Sequence, residues 1–521
     1  MIVGHPRRYS PPMTHDHGRR PSPAEELVPA GFRVHADPAT RLVASGSVLV
    51  GGSPVRVLRL TPAGGRQVAG WLSGTPVSES VAARRLARRL LDAGIAHPGF
   101  DSSPRLPDPA PRATEVTVVI PVRDRHAELS RCLAGLAGEA YRVIVVDDCS
   151  ADPAAIARIA GSCGARVVRR PVNGGPGAAR NTGLAAAGTE LVAFLDSDCV
   201  PAAGWLDRLL PHFADPAVGA VAPRIMPHEP GRSWLARYEG ASSTLDMGAR
   251  PSIVRPASRV SYVPGAALVV RKAAAGAGFA AGMFVGEDVD FVWRMSAAGW
   301  RVRYEPAAVM GHQHRVRLPA WFARRADYGT SAAALEELHP GAVRPLYASW
   351  WTAGAWAALL CGRPGTAAAL TGTATALLAR RLSRVTGERW PLPRPTHIPP
   401  PIGADNSKRR PAAAWALALR LAGGGTIAAG RPLGSALSRT WWPVAIPAAV
   451  FVPRLRLPVA ALILAPPLLD WADRRPPLDP ARYVAARLLD DAAYSLGVWR
   501  GCLERREIRP LLPVIGSGPG R

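Results

Sequence analysis

Two aspartates, Asp196 and Asp198, directly follow an apolar run at residues 191–195. Carboxylates this close together repel one another and are costly to bury without partners. A divalent cation with oxygen ligands would offset that repulsion and would also bind a diphosphate. The pattern therefore predicts a metal site at the end of a buried strand, with a capped turn as the alternative.

A second acidic pair, Asp147 and Asp148, follows the apolar run at residues 143–146. Carboxylates at a strand end can bind a nucleobase imide or a ribose hydroxyl, although they can also cap the helix that follows. Between the two pairs, the glycine-rich residues 173–181 predict a tight turn into a helix. Arg180, in the first turns of that helix, could reach a phosphate, and a surface arginine is the alternative.

Further along the chain, Glu287 and Asp288 predict the first turn of a helix, where acidic side chains favour the helix dipole whatever their function. A carboxylate there could also deprotonate an acceptor hydroxyl, and the small residues at 265–266 would let an acceptor approach. His312 and His314 are two residues apart and point to the same side of an extended segment. Either could join the metal site, and surface histidines are the alternative.

The elements that must position these residues alternate between apolar runs and helical stretches over residues 115–335. Continuous β-branched runs separated by helices predict an α/β fold with a mostly parallel, buried sheet. Nucleotides bind such sheets beyond the carboxyl ends of the strands, where both acidic pairs are placed. The predicted strands are residues 116–120, 143–146, 166–168 and 191–195.

Three segments precede the sheet. Residues 1–24 are rich in Pro, His and Arg without periodicity, which predicts a disordered tail. Residues 25–98 predict a small domain with short strands around a glycine turn and a last helix over residues 81–93. Four prolines in residues 99–114 predict a linker to the sheet.

The character of the chain changes over residues 345–505. Four apolar segments there are separated or interrupted by arginine, and none offers a clean span of about 20 uncharged residues. They could form interfacial helices, short spanning hairpins or a buried helical domain. Several tryptophans suit a membrane interface, so we expect a helical region associated with the cytoplasmic side of the cell membrane. The segments are residues 346–361, 366–379, 412–429 and 441–469.

The composition bounds the cellular setting. The 521 residues carry a formal net charge of +25. This charge suits an anionic membrane face, a nucleotide diphosphate or nucleic acid, although a GC-rich genome also explains an arginine-rich chain. The six cysteines are scattered without disulfide or zinc spacing, and the N-terminus lacks the apolar core of a secretory signal. We therefore expect the catalytic part in the cytosol.

Taken in order, these motifs resemble those of the family-two, GT-A-fold glycosyltransferases over residues 115–330. The resemblance implies a Rossmann-like sheet and metal-dependent transfer of a hexose from a nucleotide sugar, with inversion at the anomeric carbon. The QxxRW motif of processive members is absent from the sequence, which argues against long-chain polymerisation. The segments that carry the likeness are residues 119–124, 145–150, 177–183, 194–198 and 286–288.

The resemblance also implies individual roles on the donor side. Pro121, Arg123 and Asp148 would line the nucleotide pocket. Asp196 and Asp198 would hold Mg²⁺ or Mn²⁺ on the diphosphate, so that Asp196 would also contact the donor. These roles agree with the oxygen-rich chemistry expected of the two strand ends.

On the acceptor side, the resemblance implies that Asp288 is the catalytic base and that Glu287 is its neighbour. His312 would occupy the place of a metal-ligating histidine, with His314 as the substitute. Together these residues would complete a single-displacement mechanism.

Two segments of the N-terminal region, residues 49–61 and 90–98, resemble the small winged-helix peptide-binding domain of modified-peptide pathways, such as the pyrroloquinoline quinone chaperone. Joined to a family-two domain, it makes the chain similar to the mycofactocin-type glycosyltransferases. That resemblance implies UDP-glucose as the donor and a peptide-derived redox cofactor precursor as the acceptor, selected by the N-terminal domain. A lipid or cell-envelope polysaccharide acceptor is the alternative.

Two other kinds of protein are compatible with parts of the sequence. A DNA-binding regulatory protein would use the net charge and the winged-helix-like N-terminus, but acidic motifs have no use on DNA. Its basic residues also do not cluster on one recognition helix, although residues 84–89 come close. A nucleotidyltransferase would likewise need two acids beside a strand. We expect no nucleic acid partner.

Overall fold

The computed structural model describes residues 23, 26–43, 48–100, 111–138, 141–229, 231–314, 316–386 and 411–516. All of the tail predicted for residues 1–24 except residue 23, and most of the linker predicted for residues 99–114, lie outside these ranges. The described residues form an N-terminal region, a central sheet flanked by helices, and a helical C-terminal region.

The N-terminal region contains two small sheets and two helices. In chain order these are β1 (Arg33–Ala36), β2 (Arg41–Val43), β3 (Val48–Gly51), β4 (Arg56–Arg59), α1 (Pro62–Leu72), α2 (Val81–Ala93) and β5 (Ala96–Gly99). β1 pairs with β5, and β2, β3 and β4 form an antiparallel sheet. The predicted helix over residues 81–93 is confirmed, and Gly94 ends it in the left-handed conformation. The winged-helix likeness stays a prediction.

The central region consists of nine strands and seven helices. The strands are β6 (Val116–Val122), β7 (Arg142–Asp147), β8 (Arg166–Arg169), β9 (Leu191–Leu195), β10 (Cys199–Pro201), β11 (Val218–Pro227), β12 (Ser252–Ile253), β13 (Ala267–Arg271) and β14 (Arg301–His312). The helices are α3 (His126–Gly135), α4 (Pro153–Ser162), α5 (Gly175–Ala186), α6 (Trp205–Leu209), α7 (Trp234–Ser242), α8 (Glu287–Ala297) and α9 (Leu318–Leu338).

These strands form one sheet in the order β10-β14-β11-β13-β9-β6-β7-β8, with β12 on the side of β14. β6, β7, β8, β9, β11 and β14 point one way, and the other three strands run opposite. The prediction of an α/β fold with a mostly parallel sheet is therefore confirmed, as are all four predicted strands. Five further strands, β10 to β14, were not predicted. β10 and β12 are very short, and β11 and β14 carry mixed polar and apolar residues, whereas β13 is an apolar run that could have been predicted.

Both faces of the sheet are covered, which explains the continuous apolar runs. Alternate side chains of a strand point to opposite faces. Val118 and Ile120 of β6 pack in one core, whereas Val119 packs in the other with Phe194 and Phe291. A strand that is buried on both faces has no position at which a polar side chain would reach water.

The C-terminal region is helical. Its elements are β15 (Tyr347–Ala348), α10 (Trp350–Leu360), α11 (Pro364–Thr386), α12 (Pro411–Ala418), α13 (Gly425–Ala428), α14 (Gly430–Arg439), α15 (Trp442–Phe451), α16 (Arg456–Arg474), α17 (Pro480–Arg505) and β16 (Val514–Ile515). Helix α17 packs directly on α9 of the central region. A Cβ atom added at Gly497 would lie 1.8 Å from the Ala326 carbonyl oxygen, so the two backbones touch at this glycine.

Among the described residues, one helical stretch, Pro453–Arg474, is long and apolar enough to cross a membrane, and Trp442–Phe451 is a shorter apolar helix. A single stretch of this kind is weak evidence of a spanning protein. Association of this region with a membrane therefore stays a prediction.

The N-terminal region docks on the central region through ion pairs, of which Arg88–Asp215 is buried. Its glycine turn takes part, because the Ser53 carbonyl accepts a hydrogen bond from Arg255 at 3.1 Å and the Ser53 hydroxyl accepts one from the Arg259 backbone. This turn therefore faces the central region. The ion pairs include Arg88–Asp215 at 2.6 Å, Asp92–Arg301 at 2.8 Å and Asp37–Arg259 at 2.9 Å.

Candidate active site

A cavity of about 1060 Å³ opens beside the carboxyl ends of β6, β7 and β9. Its lining contains nine residues that the sequence singled out for a catalytic, donor-binding or metal-binding role, together with the alternative ligand His314. Asp147 does not line it and pairs with Arg169 instead. A cavity of this volume lies at the large end of the range for small-molecule sites. The nine residues are Pro121, Arg123, Asp148, Arg180, Asp196, Asp198, Glu287, Asp288 and His312.

Asp148 holds the glycine-rich loop at the edge of this cavity. Its Oδ1 accepts hydrogen bonds from Arg170 at 2.8 Å and from the Gly174 N–H at 3.1 Å, and its Oδ2 accepts one from the Gly175 N–H at 2.8 Å. The carboxylate therefore has several protein partners, which fix the entry of α5. The predicted contact between Asp148 and a nucleotide stays a prediction.

The Asp198 carboxylate lies just beyond β9 and faces His312 at the end of β14. Its Oδ1 is 3.5 Å from His312 Nε2, and its Oδ2 accepts a hydrogen bond from Arg125. Burial alone would raise the pKa of Asp198, but His312 and Arg125 outweigh burial and hold that pKa well below its usual range. Asp198 is thus an ionised, partly enclosed carboxylate, as a cation site requires.

The pairing of β10 with β14 brings these two side chains together, because Cys199 lies opposite His312 in that register. His312 Nδ1 is buried and has no hydrogen-bond partner among the described residues. In that same part of the chain, no three His, Cys, Asp or Glu side chains stand close enough to surround a cation by themselves.

His314 faces a different acidic residue. Its Nδ1 is 3.8 Å from the Glu239 carboxylate, which also accepts a hydrogen bond from Trp321 at 2.7 Å and pairs with Arg325. Burial lowers the pKa of His314 to about 4, and His312 adds to this effect. The arrangement favours His312 over His314 as the neighbour of Asp198.

Arg180 is buried and bridges two acidic residues. One terminal nitrogen donates to Glu287 Oε1 at 2.9 Å, and the other donates to Asp196 Oδ1 at 2.7 Å. Each of these two nitrogens thus already donates to a carboxylate, so the guanidinium links Asp196 to the start of α8. The phosphate contact predicted for Arg180 stays untested.

Asp288 is held by backbone N–H groups at the start of α8. Gly265 donates to its Oδ2 and Val289 to its Oδ1, both at 2.8 Å. A Cβ atom at Gly265 would lie 3.1 Å from the Asp288 Cβ and 3.2 Å from the Arg180 guanidinium carbon. The small residue at 265 therefore lets these two side chains approach the backbone closely.

Glu287 differs from its neighbour because it is buried. Burial raises the pKa of Glu287 to about 7, with a further contribution from Asp288, although Arg180 opposes the shift. Two adjacent carboxyl groups thus have different surroundings, one fixed by backbone N–H groups and one paired with a buried arginine.

The cavity also contains residues that the sequence analysis missed. Arg125, which pairs with Asp198, follows the recognised Arg123 segment and could have been found there. Other missed residues come from α9, α14 and α17, and no local motif marks them. They include Arg324, Tyr328, Arg439 and Tyr494.

Comparison with known proteins places the chain in a family. The model described as "Glycosyl transferase family 2" matches residues 117–275. The pre-mycofactocin glycosyltransferase of Mycobacterium tuberculosis is 41% identical over 499 residues, which cover 94% of this chain and 98% of that protein. The chain belongs to glycosyltransferase family 2. It is therefore a glycosyltransferase, and the DNA-binding and nucleotidyltransferase alternatives no longer apply.

Other similarities are confined to parts of the chain. An uncharacterized glycosyltransferase of Mycobacterium tuberculosis is 33% identical over 197 residues, which cover 36% of this chain and 81% of that protein. The mannosyltransferase of Pyrobaculum calidifontis, solved with GDP-mannose and Mn²⁺, is 24% identical, with a TM-score of 0.35 over 54% of this chain and 82% of its own. By contrast, the match to the pre-mycofactocin enzyme extends into both flanking regions.

Proposed function

We propose that this glycosyltransferase transfers glucose from UDP-glucose, with inversion, to the peptide-derived precursor of mycofactocin. The observation that carries the proposal is the convergence of nine predicted residues on one cavity, in a chain similar to the pre-mycofactocin glycosyltransferase along most of its length. A lipid or polysaccharide acceptor is the alternative, and transfer assays with each acceptor distinguish the two.

The residues of the site fit a Mg²⁺ or Mn²⁺ ion. Asp198 and His312 supply a carboxylate and an imidazole 3.5 Å apart, and Asp196 supplies a second carboxylate from the same strand end. Carboxylate-rich sets of this kind suit these cations. Because no three such groups among the described residues converge, oxygens of the diphosphate would complete the coordination. Once bound, the ion would neutralise charge on the leaving diphosphate.

In this proposal, Asp288 is the general base. Backbone N–H groups of Gly265 and Val289 fix its carboxylate, and each oxygen retains a lone pair for the acceptor hydroxyl. Asp288 takes the hydroxyl proton as the acceptor oxygen bonds to the anomeric carbon, and the bond from that carbon to the diphosphate breaks. Attack opposite the leaving group inverts the configuration. Arg180 acts through Glu287 and Asp196, whose carboxylates it holds in place.

A second part of the proposal concerns location. Three apolar side chains of the C-terminal region are largely exposed: Ile427 at 78%, Phe451 at 83% and Leu457 at 83%. Arg454 and Arg456 lie between the last two. Apolar side chains next to arginine suit the boundary between headgroups and acyl chains. We therefore place this region on the cytoplasmic surface of the membrane.

Replacement of Asp288 tests the catalytic assignment. Asp288→Asn should bind UDP-glucose normally but transfer its sugar about 10²-fold more slowly or worse, the usual scale for losing a general base. Donor turnover is measured over a panel of nucleotide sugars, with pre-mycofactocin, a lipid and a polysaccharide as acceptors. The control is Asp207→Asn, an exposed aspartate on α6. A wild-type rate for Asp288→Asn would show that another carboxylate is the general base, and Glu287 and Asp290 would be tested next.

The metal assignment has its own test. Asp198→Ala should abolish both sugar transfer and Mn²⁺-dependent binding of UDP, because Asp196, whose Oδ1 already pairs with Arg180, should not hold the ion alone. Binding of UDP is measured by calorimetry with and without Mn²⁺. Normal turnover of a nucleotide sugar by the variant in excess chelator would show that the assignment is wrong.

A further inference from the structure

The cavity has a wall that the family-two motifs do not account for. Helices α9, α14 and α17 bring Tyr328, Arg439 and Tyr494 to the same cavity as Asp288. Tyr262, from the segment before β13, lines this side as well. The wall therefore combines residues of the central region with residues from the C-terminal helices.

The arginines of the cavity fall into two groups. Five of the seven have a carboxylate within 3.6 Å of the guanidinium: Arg123, Arg125, Arg180, Arg325 and Arg344. The other two lie over tyrosine rings, with Arg324 4.8 Å from the ring centre of Tyr328 and Arg439 4.2 Å from that of Tyr494. Both members of this second group belong to the unexplained wall.

The second group is incompletely neutralised. Within the described part of the chain, Arg324 has no carboxylate within 4 Å, and the carboxylate near Arg439 is that of Asp491 at 3.7 Å. No N–H group of Arg439 donates a hydrogen bond to another described residue. A partly buried cation is costly without an oxygen partner, and a guanidinium stacked on a ring keeps its N–H edge free for one. In that part of the chain, Arg324 therefore lacks a carboxylate partner, and Arg439 has only the Asp491 carboxylate at 3.7 Å, so a ligand oxygen could serve as a closer partner for both guanidinium groups.

Tyr262 connects this wall to the catalytic base. Burial raises the pKa of Tyr262 to about 12, and the nearby Asp288 carboxylate adds to that effect, so the phenol stays protonated. A neutral phenol can donate a hydrogen bond to a ligand oxygen. Tyr262 shares the cavity lining with Asp288 and with both arginine–tyrosine pairs, so it offers this wall a further donor.

We propose that Tyr262, Tyr328, Arg439 and Tyr494, together with Arg324, form the acceptor subsite of this enzyme. The subsite suits a planar group that carries a carbonyl or carboxylate oxygen: the tyrosine rings provide flat apolar surface, and the guanidinium edges provide charged donors. This inference rests on the proposed function, because Asp288 must face the acceptor. In this proposal, the C-terminal helices α14 and α17 take part in binding the acceptor.

The test is Arg439→Gln in the full-length protein, with pre-mycofactocin as acceptor and UDP-glucose as donor. Its matched control is Arg500→Gln, an exposed arginine on α17 that pairs with Glu504. Loss of a charge-assisted hydrogen bond should raise the acceptor KM by about tenfold or more. The KM for UDP-glucose and the slow hydrolysis of UDP-glucose in water should change less than about twofold, because the donor side is untouched. Arg500→Gln should match the wild type.

Several outcomes separate this inference from the proposed function. An unchanged acceptor KM in Arg439→Gln, or an equal rise in both KM values, would overturn the acceptor subsite. If Arg439→Gln lowers the melting temperature, Arg439→Lys is tested instead, because lysine keeps the charge but not the flat guanidinium edge. Arg439→Lys should still raise the acceptor KM. A normal acceptor KM in that variant would overturn the subsite. Asp288→Asn is assayed in parallel: its failure to slow transfer would remove the base assignment, while the acceptor KM of Arg439→Gln still decides the subsite.

Discussion

The two regions that flank the catalytic sheet are attached to it by different physical means. The N-terminal region is held by ion pairs such as Arg88–Asp215, whose two side chains are almost fully enclosed. The C-terminal region combines a buried ion pair with close backbone contact. Arg325 on α9 lies 3.2 Å from Asp490 on α17, and the two helices meet where Gly497 and Gly329 leave no room for a side chain. The first interface thus depends mainly on matched charges, and the second depends on close packing of two helix backbones as well as on charge.

The two regions also differ in their relation to the cavity. Among the described residues, none before Pro121 lines it, whereas α14 and α17 contribute part of its wall. The sequence predicted that the N-terminal domain selects the acceptor and that the C-terminal region serves as a membrane attachment. The geometry favours a stabilising role for the N-terminal region and a role in acceptor binding for the C-terminal helices.

The largest effect is expected from breaking the charged interface. Asp215→Ala would leave the buried Arg88 without its partner, which typically costs about 3–5 kcal/mol of unfolding free energy. Denaturant unfolding measures the loss, and Asp207→Ala, at an exposed position, is the control. If the N-terminal region only stabilises the enzyme, the acceptor KM of the folded variant stays at the wild-type value. A raised acceptor KM with unchanged stability would restore the recognition role.

A smaller effect is expected from the close backbone contact between α9 and α17. Gly497→Ala places a methyl group 1.8 Å from the Ala326 carbonyl oxygen, so α9 and α17 must move apart. Overpacking of this kind costs about 1–3 kcal/mol of unfolding free energy. Because both helices line the cavity, the acceptor KM should rise as well. Gly372→Ala is the matched control, since a Cβ atom there meets nothing within 4 Å. Equal stability of the two variants would show that the helices are loosely packed.

The same contrast explains what could be predicted from the sequence. Asp196, Asp198 and Asp288 were found because a strand end or a helix start places a side chain by local structure alone. Arg439 and Tyr494 were not found because they lie far along the chain from Asp288 and reach the cavity only through helix packing. Tyr494 is brought there by α17 on α9, and Arg439 by α14, whose Ser438 donates a hydrogen bond to Asp491 of α17. Local patterns do not encode contacts of this kind.

A related difficulty affected the apolar segments. Alanine- and leucine-rich helices look alike whether they pack on a protein or lie on lipid. In the structure, α17 packs on α9 along one side, whereas α15 and α16 leave large apolar side chains exposed. Truncation near residue 340 would remove both kinds of helix at once, so point substitutions on the exposed side are the cleaner test of membrane attachment.

The smallest effect on the enzyme itself is expected from those exposed side chains. Phe451 and Leu457 are each 83% exposed, so replacing both with serine removes no internal packing. Full burial of such side chains contributes about 1.5–3 kcal/mol each. Because even partial burial at a lipid interface is lost in the double variant, it should bind anionic vesicles at least about tenfold more weakly. Transfer to dissolved pre-mycofactocin should stay normal. Val172→Ser, at an exposed site of the central region, should bind like the wild type. If the wild-type protein does not bind vesicles at low salt, another surface covers these side chains.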